Sequence, residues 1–298
     1  MTDLHTHSYL SDGDLDQSPD TLCRQAKEAG IRHLSITDHD HILPLDTLKA
    51  LAEKYRIDLI SGCELSTIWN YDDNDVIVHL GDHYLNERDE TIRQIIQYNQ
   101  NQPFDVYVKE MLYRYRKEHP HPALQDLDAA YEELKKMHPH SQHLGKRAAV
   151  HFLLAKGCVS SREEAYQHFA YGGAAHVSST EILKYAPFEE VVQAVTKHSI
   201  CTLNHLYYSH LNDAGNHALL KTFKELGGQA LETVYSHYDQ TKQKALFLLG
   251  KEYGLFPNCG SDRHDTSREF LQGSELMFQR LKERQLRQYG TLNDEEVQ

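Results

Sequence analysis

Thr2-Asp3-Leu4-His5-Thr6-His7, then residues 19–30 (PDTLCRQAKEAG), then His33-Leu34-Ser35-Ile36-Thr37 set the pattern on which the rest of the chain is read. The first and third segments are short apolar or β-branched runs of strand length, while Leu22, Ala26 and Ala29 between them recur at helical spacing. Ser18 is placed to cap that helix and Pro19 to open it. The alternation continues with a helix-like 45–55, then strand-like 57–61 and 76–80. It returns late in the chain as helix-like 188–198, strand-like 200–204, helix-like 216–226, strand-like 230–235, helix-like 240–253 and strand-like 255–259. Strands alternating with helices predict an α/β fold around a parallel sheet, open or closed as a barrel. Residues 86–185 read differently: 98–117, 127–137, 146–156 and 162–169 are helical in pattern and strand signals are sparse. The expected organisation is a barrel-forming unit from 1–85 and 186–298 interrupted by a mainly helical insertion at 86–185.

The 298 residues, 40% hydrophobic and 25% charged, have the composition of an ordinary globular chain and exclude disorder, collagen and low complexity. No apolar run reaches the roughly 18 to 20 residues of a membrane span, and Met1 leads into Thr2, Asp3 and His5 without a leader pattern, so a cytoplasmic location is expected. Five scattered cysteines without a CxxC pair argue against a disulfide framework. A net charge of -13 opposes tight binding to duplex DNA, which depends on many Lys and Arg contacts to phosphate. The anomaly is 21 histidines, roughly three times the average share, and histidine is the commonest metal ligand.

Their placement gives them meaning. His5 and His7, Asp38 and His39, Glu64, His79, His205, and Asp262 and His264 all fall at or just beyond the expected C-terminal ends of strands, with Asp12 in the first loop. In a barrel or doubly wound sheet those ends converge on one face. The period of two in His5-Thr6-His7 turns both imidazoles to one side of a strand, within reach of one ion. Nitrogen and carboxylate ligands together suit Zn, Mn or Fe, and their number exceeds the needs of a single ion, which implies two or three.

Four separated segments, Asp3-Leu4-His5-Thr6-His7 with Ser11-Asp12-Gly13, Ile36-Thr37-Asp38-His39-Asp40, Gly62-Cys63-Glu64-Leu65-Ser66 and Gly260-Ser261-Asp262-Arg263-His264, resemble in composition and order the motifs of the polymerase and histidinol phosphatase (PHP) superfamily. The chain looks most like the small stand-alone branch that acts on nucleoside 3′,5′-bisphosphates and on the 5′ ends of short oligonucleotides. The resemblance implies a distorted (β/α)7 TIM-like barrel and a trinuclear metal centre. His5 and His7 would share an ion with Glu64 and Asp262, Glu64 would bridge to a second ion held by His79 and His205, and Asp12, His39 and His264 would hold the third. Three divalent ions against three carboxylates leave a local surplus of about +3, which favours a phosphate dianion. The expected reaction is phosphate-ester hydrolysis by in-line attack of a metal-bound hydroxide, with Glu64 and Asp262 as the catalytic carboxylates.

Lys146 and Arg147, in Gly145-Lys146-Arg147-Ala148 where related proteins commonly carry Gly-Arg-Pro-His, are expected to meet substrate phosphate, and His237 and Arg263 to touch substrate. A base would stack on one of Tyr207, Tyr208, Tyr235, Tyr238 or Trp69. Asp38 and Asp40 are expected to orient ligating imidazoles, and His119, His121, His138, His140 and His143 to mark exposed turns. Competing expectations are a phosphatase for a small metabolite such as histidinol phosphate and a non-catalytic metal-binding module; carbon-nitrogen bond hydrolysis lacks the lysine it usually employs at a strand end.

Overall fold

The computed structural model describes residues 1–271 and 273–289. The order is β1 (Thr2–Thr6), α1 (Pro19–Glu28), β2 (His33–Ile36), α2 (Leu45–Tyr55), β3 (Asp58–Tyr71), β4 (Asn74–His83), α3 (Glu90–Gln100), α4 (Phe104–Glu118), α5 (Leu127–Met137), α6 (Lys146–Ala155), α7 (Arg162–Phe169), α8 (Ser179–Ile182), β5 (Ala186–Pro187), α9 (Phe188–Val195), β6 (Ile200–Leu203), α10 (Asp213–Glu225), β7 (Ala230–Tyr235), α11 (Gln240–Glu252), β8 (Phe256–Gly260) and α12 (Glu275–Tyr289). The caps follow local chemistry. The Ser18 hydroxyl accepts the Thr21 N–H at 3.0 Å with Pro19 at the first helical position, and α1 buries Leu22, Cys23 and Ala26 against β2 and α2 residues.

Strands pair in the order β1-β2-β3-β4-β6-β7-β8, with the short β5 beside β3. The sheet nearly closes: the Asp262 N–H donates to the His5 carbonyl and the His7 N–H to the Arg263 carbonyl, both at 2.8 Å, joining the chain beyond β8 to β1. This is the expected distorted barrel with one departure. β3 and β4 form an antiparallel hairpin from Gly62↔His83 to Tyr71↔Asn74, and β4 also runs antiparallel to β6. Only Asp72 and Asp73, at φ 54° and 60°, separate the two strands, so there is no crossover helix to make them parallel.

Residues 290–298 lie outside the described residues, and α12 runs to Tyr289. The helix expected over 98–117 is divided into α3 and α4, because Pro103 cannot continue the α3 hydrogen-bond ladder and instead precedes the first turn of α4. Ile92 and Ile96 of α3 join the apolar cluster around the barrel, with Leu65, Leu80, Phe188, Leu203, Phe223 and Leu231. A separate cluster, with Phe104, Met111, Leu112, Leu134, Phe152, Leu153 and Phe169 among its buried members, holds α4 to α7 together.

Candidate metal centre

The His5 and His7 side chains share one side of the β1 end, and their Nε2 atoms stand 3.1 Å apart. Glu64 Oε2 lies 3.1 Å from His5 Nε2 and 3.2 Å from His7 Nε2, and Asp262 Oδ1 lies 3.1 Å from His7 Nε2. The other Glu64 oxygen, Oε1, faces His205 Nε2 at 3.0 Å and His79 Nδ1 at 3.5 Å, while His39 Nδ1 is 3.3 Å from Oε2. Asp12 Oδ1 lies 3.0 Å from His264 Nε2 and 3.9 Å from both His39 Nε2 and His7 Nδ1. The chain thus brings the nine residues singled out as metal ligands into one cluster. Ligand atoms converge within 4.8 Å of one another in three sets: His5, His7, Glu64 and Asp262; His7, Asp12, His39 and His264; and His39, Glu64 and His79.

Strand ends account for only part of this convergence. Glu64 and His79 lie inside β3 and β4, whose hairpin continues beyond the barrel rim. Because β4 returns antiparallel, with Ser66 opposite His79 and Glu64 opposite Gly81, the two side chains arrive at the same level as the C-terminal ends of the parallel strands.

The donor chemistry fits cations. His7 Nδ1, Asp12 Oδ1, His39 Nδ1, Glu64 Oε2 and His79 Nδ1 are buried without a well-aligned hydrogen bond. Buried polar atoms left in that condition are costly, and a divalent ion would satisfy them together. The charge balance agrees. Burial opposes ionisation of Glu64, yet His5, His39 and His79 hold its carboxyl well below the usual range, and His264 and His39 do the same for Asp12. Burial opposes protonation of both His79 and His7, pushing His79 down to about 4, whereas hydrogen bonds with Asp262 and Glu64 raise His7 to about 9, so an ion bound there would take the place of a proton on His7.

Supporting residues complete the cluster, and of these only Tyr235 was singled out in the sequence, for stacking rather than for this role. Glu232 on β7 takes His5 Nδ1 at 2.9 Å and the His205 N–H at 2.8 Å, leaving His5 Nε2 directed at the cluster. Asn204 donates to Glu64 Oε1 at 2.9 Å, and Tyr235 and Arg268 donate to Asp262 Oδ2, each at 2.9 Å. A glutamate inside the apolar run 230–235 was the available signal for Glu232; Arg268 carried none. Asp38 and Asp40 do not orient imidazoles. Asp38 accepts from Ser8 and Ser11 and pins the β1 loop, while Asp40 accepts from Asn99 and the Ser66 N–H.

A cavity of about 690 Å³ opens beside the cluster, lined by Lys146, Arg147, His237 and Arg268 and by Tyr107, Tyr166, Tyr171, Tyr185, Tyr208 and Tyr235. Arg147 Nη1 is held by Asp265 Oδ2 at 3.1 Å, and His237 Nε2 meets Arg268 Nη2 at 2.6 Å. Arg263 departs from expectation: flanked by Asp262 and His264, which face the cluster, it turns the opposite way, to Gln25 Oε1 at 2.9 Å and over the Phe270 ring. Of the five aromatics proposed for a base, Tyr208 and Tyr235 line the cavity. Trp69 is buried in the core beside Phe188, and Tyr207 and Tyr238 pack on that core. His143, expected in an exposed turn, lines the cavity and stacks 5.0 Å from His39, and His138 is buried 5.2 Å from His151.

Comparison with known proteins agrees with this geometry. A 67-residue stretch is 43% identical to a 5′-3′ exoribonuclease of Haemophilus influenzae, covering 22% of this chain and 24% of that protein. Another of 66 residues is 33% identical to a phosphoribosyl 1,2-cyclic phosphate 1,2-diphosphodiesterase of Eggerthella lenta, covering 22% and 24%. These matches span about a quarter of the length of the relatives. Two solved structures share the fold along the whole chain. A candidate metal-dependent phosphoesterase from Bifidobacterium adolescentis aligns with a TM-score of 0.78 at 18% identity, covering 95% of this chain and 96% of that one. An amidohydrolase from Chromobacterium violaceum, with bound sulfate and no metal, aligns at 0.73 and 19% over 95% and 96%. The model of the PHP domain matches residues 3–232, most of the chain and all but two of the clustered residues, and the chain belongs to the PHP domain family.

Proposed function

We propose that the protein is a metal-dependent phosphoesterase that hydrolyses a phosphate ester of a nucleotide, such as a nucleoside 3′,5′-bisphosphate, or the 5′ end of a short oligonucleotide. The observation that carries this reading is one continuous space: buried, unsatisfied imidazole and carboxylate atoms at its floor, and cationic and tyrosine side chains on its walls. The metal ligands in the proposal are His5, His7, Asp12, His39, Glu64, His79, Asp262 and His264, which make up the three converging sets, and His205, which faces Glu64 Oε1 at 3.0 Å, together holding two or three Mn, Fe or Zn ions. Bound divalent ions there supply neutralisation of the phosphoryl oxygens and acidification of water. The chain itself supplies the rest. Glu64 and Asp262 position the ligands on both sides of the cluster, Glu232 holds His5 in the required orientation, and Lys146, Arg147, His237 and Arg268 face the substrate. Residues 1–85 and 186–298 carry the centre, and 86–185 supply the opposing wall. That relatives matched over part of their length are a 5′-3′ exoribonuclease and a cyclic-phosphate diesterase favours a nucleotide or phosphoribosyl substrate.

The test is phosphate release from a nucleoside 3′,5′-bisphosphate by Mn-reconstituted protein whose metal content is measured. Release is expected, and Glu64→Ala is expected to lose metal and at least about 100-fold of activity together, since it removes a carboxylate shared among several ligand sets. Fully metallated protein that releases nothing would move the assignment to smaller phosphate esters such as histidinol phosphate, and full turnover by Glu64→Ala would refute the metal centre.

A further inference from the structure

A row of aromatic rings leads away from the candidate centre. The ring of His205 lies 5.3 Å from Tyr208, Tyr208 lies 6.0 Å from His210, and His210 lies 6.5 Å from Tyr171 with the two planes within 28° of parallel. All four line the cavity. Tyr208 and Tyr171 are 60% and 87% exposed, whereas Tyr235 in the same cavity is 3% exposed. Core packing therefore explains Tyr235 and does not explain the other two. The turn that presents Tyr208 and His210 is a single 3-10 turn, Leu206–Ser209, and His210 after it is left-handed at φ 55°. A non-glycine residue in that conformation carries a local cost, which is commoner at functional sites than elsewhere.

We propose that Tyr208, His210 and Tyr171 form a stacking track for the unpaired bases of a short single-stranded nucleic acid whose 5′-phosphate lies at the centre. This rests on the phosphoesterase reading above. Every base presents a π face, so such a track holds a strand with little sequence preference. Neighbouring rings stand 5.3 to 6.5 Å apart, less than the roughly 6.8 Å a base needs between two ring faces, so unpaired bases would lie across the solvent-facing side of the row rather than between its members. Lys146 and Arg147, in the wall of the same cavity, face the backbone charge. The track accounts for an exposed tyrosine at the mouth that a mononucleotide would not need.

The experiment compares KM for a nucleoside 3′,5′-bisphosphate with KM for a 5′-phosphorylated trinucleotide carrying 2-aminopurine at its second or third position, using the full Mn-loaded chain. Tyr171 is so exposed that its replacement does not threaten folding. Tyr171→Ala is expected to raise the ratio of trinucleotide to bisphosphate KM by about five-fold or more and to abolish stacking-dependent quenching of 2-aminopurine, and Tyr171→Phe to restore both. A ratio and quenching unchanged in Tyr171→Ala would overturn the track. Hydrolysis of the bisphosphate without the trinucleotide would overturn the track and leave the phosphoesterase reading standing; hydrolysis of neither by fully metallated protein would overturn both.

Discussion

Glu232 meets the ring of His5 at 2.9 Å only because Gly260, the last residue of β8, carries no side chain: a Cβ at that position would lie 2.1 Å from the His5 Cβ and 2.6 Å from Glu232 Oε1. Carboxylate support of this kind fixes a ligand's tautomer and raises its basicity. Glu232→Gln is therefore expected to weaken metal retention about 10- to 100-fold, read by elemental analysis after dialysis against a graded chelator. Retention equal to the parent protein would make Glu232 a packing residue only. Asp82 presents the opposite situation, a carboxylate away from the cluster, where burial, partly offset by Ser199, pushes it up to about 8. Its folded value stands above the ordinary carboxylate value of about 4, so between those limits the folded state binds a proton the unfolded state lacks. Stability contributed by that proton falls as pH rises from about 4 to about 8. Asp82→Asn should flatten this slope; melting temperatures at pH 5 and pH 8 that differ equally in parent and variant would contradict it.

At the scale of elements, the hairpin decides more of the site than any other unit, because it delivers Glu64 and His79 to the cluster from within long strands. Its turn places two aspartates, Asp72 and Asp73, in the left-handed region that favours glycine. Asp73→Gly is expected to raise stability by up to about 1 kcal/mol in urea unfolding, since the left-handed penalty of a side chain is removed at an exposed position. A loss of stability would show that the aspartate side chain contributes more than the backbone strain costs. Elements with unambiguous period and punctuation were legible in the sequence: α5 and α7 match the expected 127–137 and 162–169. Pro103 was an equally local signal, and the helical pattern on both sides of it concealed the break. The antiparallel β4 was not legible, since a short apolar run carries no information about the direction of its partner.

Across the whole molecule, the helices of the second apolar cluster meet the barrel loops through charge. Arg162 Nη2 bonds Asp14 Oδ2 at 2.9 Å and its Nη1 bonds Asp265 Oδ2 at 3.2 Å, the same oxygen that holds Arg147, while His151 Nε2 stands 3.1 Å from Asp14 Oδ1. Asp14 follows Asp12 on one cluster loop and Asp265 follows His264 on another, so these contacts join the cavity wall to the loops that carry clustered residues. Arg147→Ala is expected to raise KM for a phosphate ester several-fold with metal content unchanged; an unaltered KM would restrict Arg147 to its pair with Asp265. No helix among the described residues is long and apolar enough to cross a membrane.

By itself the sequence determined the alternation of strands and helices and the set of imidazoles and carboxylates that converge, because both are written locally: periodicity in one case, rare residue types in four short motifs and at the ends of apolar runs in the other. Only the tertiary structure decided that Arg263 turns away from the cluster toward Gln25, that Trp69 belongs to the core, that His143 reaches the cavity, and that Glu232 and Arg268 stand beside His5 and Asp262. The physical reason is shared by all of these. The direction a side chain takes at the end of a strand, and the partner it finds there, depend on the register and closure of neighbouring strands far away in the chain.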